Sequence, residues 1–165
     1  MKVCAIDPGK RGAIVVLDYD SNNAYFERLK YNKDGILVTD FNKFEGKIDR
    51  LLVEKIHGRG GWHASAVFKM GYYFGQLIYA LKEYDVEFVP PKIWTSIVHK
   101  NVVKIKGRNG TKEKSLRAYN LYFPHNPIKK YHDGVIDALL ICVYEKIEKE
   151  EKLRKWEFVK CLSQL

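Results

Sequence analysis

The chain has 165 residues, 46% of them hydrophobic, and 29 Lys and Arg against 20 Asp and Glu, for a formal net charge of +9. That size and apolar content suit one compact domain over residues 1–165 with a real core, and exclude a disordered or fibrous chain. A balance this basic points to a polyanion, nucleic acid first, with added solubility as the plainer reading.

Val3-Cys4-Ala5-Ile6 is a short apolar run that reads as a buried strand, and it stops on Asp7, with Pro8 and Gly9 following. Proline cannot continue a central strand, and glycine permits the turn. A carboxylate where a core strand ends is either a turn device or half of a site. Gly12 to Leu17 is a second apolar run and reads as a hairpin partner; Ala24 to Tyr31 reads as a third strand. Thr39 to Arg50 predicts a short polar helix on the spacing of Phe41, Phe44 and Ile48, weakened by Gly46. Leu51-Leu52-Val53 reads as another buried strand, ending at Glu54, before a loop at Gly58-Arg59-Gly60-Gly61.

Ala64 to Leu81 is the longest helical pattern, with a wide apolar stripe that includes Gly71 and Gly75 one turn apart. Glycine weakens a helix by roughly 1 kcal/mol, so close approach is its reason there, either to the sheet or to a second copy of the chain; general packing favours the sheet. Val86 to Val89 predicts a strand stopped by Pro90-Pro91, and Lys92 to Val98 a helix begun by proline. Lys100 to Gly110 is a basic loop carrying Lys100, Lys104, Lys106 and Arg108. Thr111 is placed to cap a helix reaching Phe123, and Pro124 to Lys130 is loop. Asp133 to about Lys155 predicts the final long helix, and Trp156 to Leu165 an amphipathic tail over the core. The order is that of an α/β chain with a mixed sheet, an antiparallel meander followed by parallel strands joined through helices.

Cys4, Cys142 and Cys161 are far apart and form no Cys-x-x-Cys pair, so neither a zinc site nor a thioredoxin motif is expected and a reducing compartment fits. The apolar runs are too short to span a membrane and no signal-peptide pattern opens the chain, so a soluble intracellular protein is expected.

Four acids stand at element ends. Asp7 and Glu54 close strands; Asp133 and Asp137 lie four apart and share a helix face, with His132 just before them. Each has a plain alternative. Asp133 suits a helix N-cap, Glu54 a pair with Lys55 or Arg59, Asp137 a pair with a lysine, and His132 the surface. Taken together they suit hard oxygen ligation of Mg²⁺ or Mn²⁺. Two such ions roughly 3.5–4 Å apart can clamp a phosphodiester, activating water and stabilising the leaving oxygen. Lys100, Lys104, Lys106, Arg108, Lys112, Lys114 and Arg59 would then form a DNA-binding rim, against the alternative of a solvated basic loop.

Ala5-Ile6-Asp7-Pro8-Gly9 with Gly12, Leu52-Val53-Glu54, Gly110-Thr111-Lys112-Glu113-Lys114-Ser115, and His132 through Ile141 resemble, in order, the motifs of the RuvC-type Holliday junction resolvases of the RNase H-like superfamily, especially small phage and viral members. The resemblance implies an RNase H-like fold with a five-stranded mixed sheet flanked by helices. It implies a homodimer in the cytoplasm (the host's, if phage or viral) that binds four-way junctions and nicks two strands symmetrically with divalent metal. Asp7, Glu54 and Asp137 match the family's acids. The fourth acid of bacterial members stands where this chain has Gly134, which leaves Asp133 or His132 as the substitute. Lys112 and Lys114 match a region of DNA-contacting lysines, and the loop with His57 and Trp62 lies where the family inserts a side chain at the junction. The family's dimer contact uses the helix after the fourth strand, which would give Gly71 and Gly75 a second copy as their neighbour. A non-cleaving branched-DNA binding module is the alternative function. Asp7 to Gly12 also resembles a phosphate loop of actin-like ATPases, but the chain is too short for that two-domain fold.

Overall fold

The computed structural model describes residues 1–21, 23–56, 61, 63–103, 110–126, 128 and 132–162, with 151–162 given by backbone alone. Five strands form one sheet: β1 (Lys2–Asp7), β2 (Ala13–Asp18), β3 (Ala24–Arg28), β4 (Arg50–Glu54) and β5 (Val86–Val89). Their spatial order is β3-β2-β1-β4-β5. The first three are antiparallel neighbours; β4 pairs parallel to β1, and β5 parallel to β4. Four helices follow: α1 (Ala64–Ala80), α2 (Pro91–Val98), α3 (Gly110–Tyr122) and α4 (Asp133–Leu162). The result is the expected mixed five-stranded sheet with helices on its faces.

Alternation along the strands sorts their side chains into two cores. Val3, Ala5, Val15 and Leu52 pack against Trp94, Ala118, Val135, Ile136 and Leu139 from α2, α3 and α4. Cys4, Ile6, Ile14 and Val53 pack the other way, against Leu29, Phe41, Phe44, Leu77 and Leu81. The same alternation aims the next residues. Asp7 continues the Val3-Ala5 side and Glu54 the Leu52 side, so both acids face α4. Ile6 is level with Val53 across β1 and β4, which brings the ends of these parallel strands together.

Several elements differ from expectation. Thr39 to Arg50 is not a helix: only Asn42–Phe44 makes a 3₁₀ turn, Gly46 breaks the chain at φ +64°, and Arg50 already opens β4. Phe41 and Phe44 are buried all the same, so their spacing records burial under an irregular segment. β3 stops at Arg28 because Leu29 turns inward, leaving Tyr31 a lone bridge to Leu37. α3 starts at Gly110, so Thr111 sits in its first turn and does not cap it. α4 runs on to Leu162, so the backbone expected to be a separate tail continues the helix.

α1 turns its glycine pair outward. Gly71 and Gly75 do not pack on the sheet: both are exposed, and a Cβ on either would meet nothing within 4 Å. Val67, Phe68 and Tyr72 on the same helix are also exposed, Phe68 by 74%, and Leu77 is the residue of α1 that is buried. Among the described residues no helix is long and apolar enough to cross a membrane.

Candidate active site

Asp7 closes β1, and the chain doubles back at once through Gly9 and Gly12, with the Gly12 amide bonding to Gly9 O at 2.9 Å. α4 begins directly above this turn. A Cβ on Gly134 would lie 2.5 Å from Arg11 O, 2.9 Å from Oδ2 of Asp7 and 3.3 Å from Cα of Gly12. Only a residue without a side chain lets the helix start so near the strand end. One turn further on, Asp137 enters the space that Asp7 and Glu54 face.

The three carboxylates act on one another. Burial, then the charges of Asp137 and Glu54, hold Asp7 well above the usual carboxylate range. Burial also pushes Asp137 up to about 7, helped by Glu54 and Asp133 and opposed by the Ser115 hydroxyl and Lys112. Among the described residues, Oδ1 of Asp137 is buried with no hydrogen-bond partner. A buried carboxylate oxygen in that state is costly unless a proton or a cation meets it.

Two neighbours hold these acids. Trp94 Nε1 donates to Oε1 of Glu54 at 3.0 Å. The Trp94 ring meets His99 edge-on at 5.7 Å, and Nε2 of His99 lies 3.4 Å from the hydroxyl of Ser115, which faces Asp137. Burial pushes His99 down to about 4, with Lys114 adding to the effect, so its ring is neutral near pH 7. A chain of side-chain contacts thus runs from Glu54 through Trp94, His99 and Ser115 to Asp137, with a ring contact as its Trp94–His99 link. Neither the apolar pattern of α2 nor any local motif signals it; Ser115 merely ends the Gly110–Ser115 segment of the resemblance.

The other candidates sit differently. Asp133 is ion-paired with Lys112. Nδ1 of His132 lies 3.3 Å from Nη2 of Arg28, whose Nη1 donates to Arg11 O at 3.2 Å. Arg28 therefore ties His132 to the turn after Asp7, a role that sequence reasoning missed. Lys112 and Lys114 lie on the first turns of α3, Lys112 beside Asp133 and Lys114 near His99, and Lys100 is exposed just past α2. Lys104, Lys106, Arg108, Arg59, His57 and Trp62 lie outside the described residues.

Among the described residues, no group of three or more His, Cys, Asp or Glu is arranged to hold a metal ion as it stands. The donor set nevertheless fits a hard divalent cation. It is all carboxylate oxygen, two members have raised proton affinity, and one oxygen is buried without a partner. Like-charged acids in such a set are drawn together by the cation between them.

No protein-family model matches the chain, and no curated protein matches it by sequence. Solved structures do. Thermus thermophilus RuvC in complex with a Holliday junction substrate superposes with a TM-score of 0.55 and 15% identity, over 89% of this chain and 96% of that one. A second Thermus thermophilus RuvC structure gives 0.54 and 15%, over 90% and 97%. Similarity at that identity is similarity of fold, and it spans nearly the whole of both chains: this protein has the RuvC form of the RNase H-like fold.

Proposed function

We propose that the protein is a RuvC-like, divalent-metal-dependent endonuclease that nicks branched DNA, four-way junctions above all. One observation carries this reading: Asp7, Glu54 and Asp137, from three elements distant in sequence, face one space, where Asp137 and Glu54 raise the proton affinity of Asp7 and Glu54 raises that of Asp137. Acids gathered in this way need protons or a cation between them, and a basic edge beside them suits a cation-holding site that meets a polyanion. A protein that only bound DNA would gain nothing from negative charge turned toward phosphate.

Asp7, Glu54 and Asp137, with Asp133, would hold Mg²⁺ or Mn²⁺, two ions in the fullest case. When bound, the metal supplies an activated water and a counter-charge for the leaving oxygen. The protein's part is positioning. Trp94 fixes the Glu54 carboxylate through Oε1, and Ser115 orients Asp137. Lys112 stands beside Asp133, close enough to meet a scissile phosphate. Lys100 and Lys114 extend that positive edge for the flanking backbone. His132, tied to Arg28, braces the start of α4 and leaves the fourth carboxylate position to Asp133.

Symmetric nicking of a junction needs two copies of the site. The exposed face of α1, with Phe68, Val67 and Tyr72 around the flush surface of Gly71 and Gly75, is the surface offered to a second protomer.

The test is a cleavage panel of four-way junction, fork, flap and linear duplex, with and without Mg²⁺. Metal-dependent nicks in the junction and not in the duplex are expected. Binding to the junction with no nick under any divalent metal would replace this reading with the non-cleaving one.

A further inference from the structure

The sheet face opposite the carboxylates carries a second basic feature. After β3 the chain folds into a tight turn around Asn32, whose Oδ1 accepts from the amides of Asp34 and Ile36 at 2.9 Å each. Gln76 on α1 pins this turn from outside, accepting from Leu37 N at 2.7 Å and donating to Gly35 O at 3.1 Å. The turn is therefore a braced wall, with the amides of Asp34, Gly35, Ile36 and Leu37 all bonded. Between it and the Gly9–Lys10 turn lies a cleft of about 560 Å³, lined by Lys10, Lys30, Lys33, Tyr31 and Tyr73, with Asp34 also on its rim. The two tyrosine rings meet edge-on at 4.8 Å, and the Tyr31 hydroxyl donates to Gly9 O at 3.3 Å. Burial, Tyr73 and then Asp7 push that hydroxyl up to about 12, which marks how near the cleft lies to the catalytic acid.

We propose that this cleft is a second nucleic-acid site, which grips the sugar-phosphate backbone of the DNA strand that crosses the carboxylates. Lys10, Lys30 and Lys33 meet its phosphates, and the tyrosine pair lies against its sugars and unpaired bases. Placement is the main argument. Lys112 and Lys114 belong to the α3 side of the sheet, and the cleft belongs to the α1 side, both at the end where β1 stops. A strand laid across the end of β1 meets one wall on each side of Asp7. Lys30 is shared with Glu27 at 3.2 Å, whereas among the described residues neither Lys10 nor Lys33 has an ion pair. The cleft thus carries charge not already neutralised. This inference rests on the nuclease reading above.

The test compares wild type, Lys10→Gln/Lys33→Gln, and a control, Lys47→Gln/Lys82→Gln, which removes equal charge at the opposite end of the sheet. Binding of a fluorescent four-way junction is measured in Ca²⁺ across a range of salt, with nicking in Mg²⁺ scored separately. The cleft variant is expected to lose affinity on the order of tenfold at physiological salt and to flatten the log–log salt slope by about 1.5, as two lost phosphate contacts require. The control keeps the wild-type affinity and slope. If the cleft variant melts below wild type, Lys33→Gln alone is expected to give about half the slope change. Wild type that binds and nicks, with the cleft variant matching it or matching an equally weakened control, overturns the cleft alone. Wild type that neither binds nor nicks overturns the nuclease reading and the cleft with it.

Discussion

Gly134 and Asp7 nearly touch: a Cβ built on the glycine would stand 2.9 Å from the aspartate's Oδ2. The start of α4 and the end of β1 are thus held at a distance set by the missing side chain. The obstruction is partly backbone, because Arg11 O would lie 2.5 Å from the same Cβ and Gly12 opposes it. Gly134→Ala should therefore destabilise the protein by about 1–3 kcal/mol, the range for forcing volume into a packed site. Nicking should fall further than the lost stability explains, since Asp7 and Asp137 move apart. Gly134→Asp, which would recreate the acid spacing of bacterial relatives of the resembled family, should be worse still. Chemical denaturation and junction cleavage on the same preparations check both statements.

The acids also predict a pH dependence. Asp7 and Asp137 bind protons more tightly folded than unfolded, where an Asp titrates near ~4. Their stabilising contribution is complete below that lower value and is lost as pH rises through the folded values, for Asp137 up to about 7. His99 works in the opposite sense: its folded value of about 4 costs stability as pH falls below its unfolded value. The useful readout is therefore the difference between Asp7→Asn and wild type, which share His99. In EDTA the variant should melt higher near pH 8, by on the order of 5 °C, and should match wild type near pH 4. Adding Mg²⁺ should raise the wild-type melting temperature at the higher pH and reduce that difference.

Trp94 supplies a third prediction. Its indole N–H holds Oε1 of Glu54, while its ring fills the core between α2 and the sheet. Trp94→Phe keeps most of the ring and removes the donor. Half-saturation by Mg²⁺ should rise roughly tenfold to a hundredfold, the usual effect of losing a partner that orients a metal ligand. Calorimetric Mg²⁺ binding to the variant, with no DNA present, should weaken in step. An unchanged Mg²⁺ affinity would leave Trp94 a packing residue.

Much of this architecture is written in short-range pattern. The apolar runs at Val3, Ile14 and Leu52 gave strands because burial on both faces demands continuous apolar residues, and the shorter Val86–Val89 segment is the half-exposed edge strand. The ends of β1 and β4 located Asp7 and Glu54 without any structure, and α4 was visible from its own periodicity. What could not be read was whatever depends on a partner distant in sequence. Phe41, Phe44 and Ile48 imitate a helix because three side chains must reach one core, and only the sheet above them reveals an irregular path. Gly71 and Gly75 left two neighbours open, the sheet from general packing and a second copy from the resemblance; the helix rolls to bury Leu77 and leaves them outward. The Lys112–Asp133 pair joins residues 21 apart, and Trp94–Glu54 joins residues 40 apart. No window along the chain contains either pair. Gly134 was seen as a departure from the family's pattern; its reason, the closeness of Arg11 and Asp7, is purely spatial.

The central claim is that Asp7 belongs to a metal-holding cluster that cuts DNA. It is tested most directly by incubating a synthetic four-way junction with wild type and with Asp7→Asn in Mg²⁺, measuring nicks and binding in parallel. Wild type is expected to nick, and the variant to lose cleavage on the order of a thousandfold while its junction affinity holds or improves, because one charge repelling phosphate is gone. Cleavage by Asp7→Asn at the wild-type rate would contradict the account.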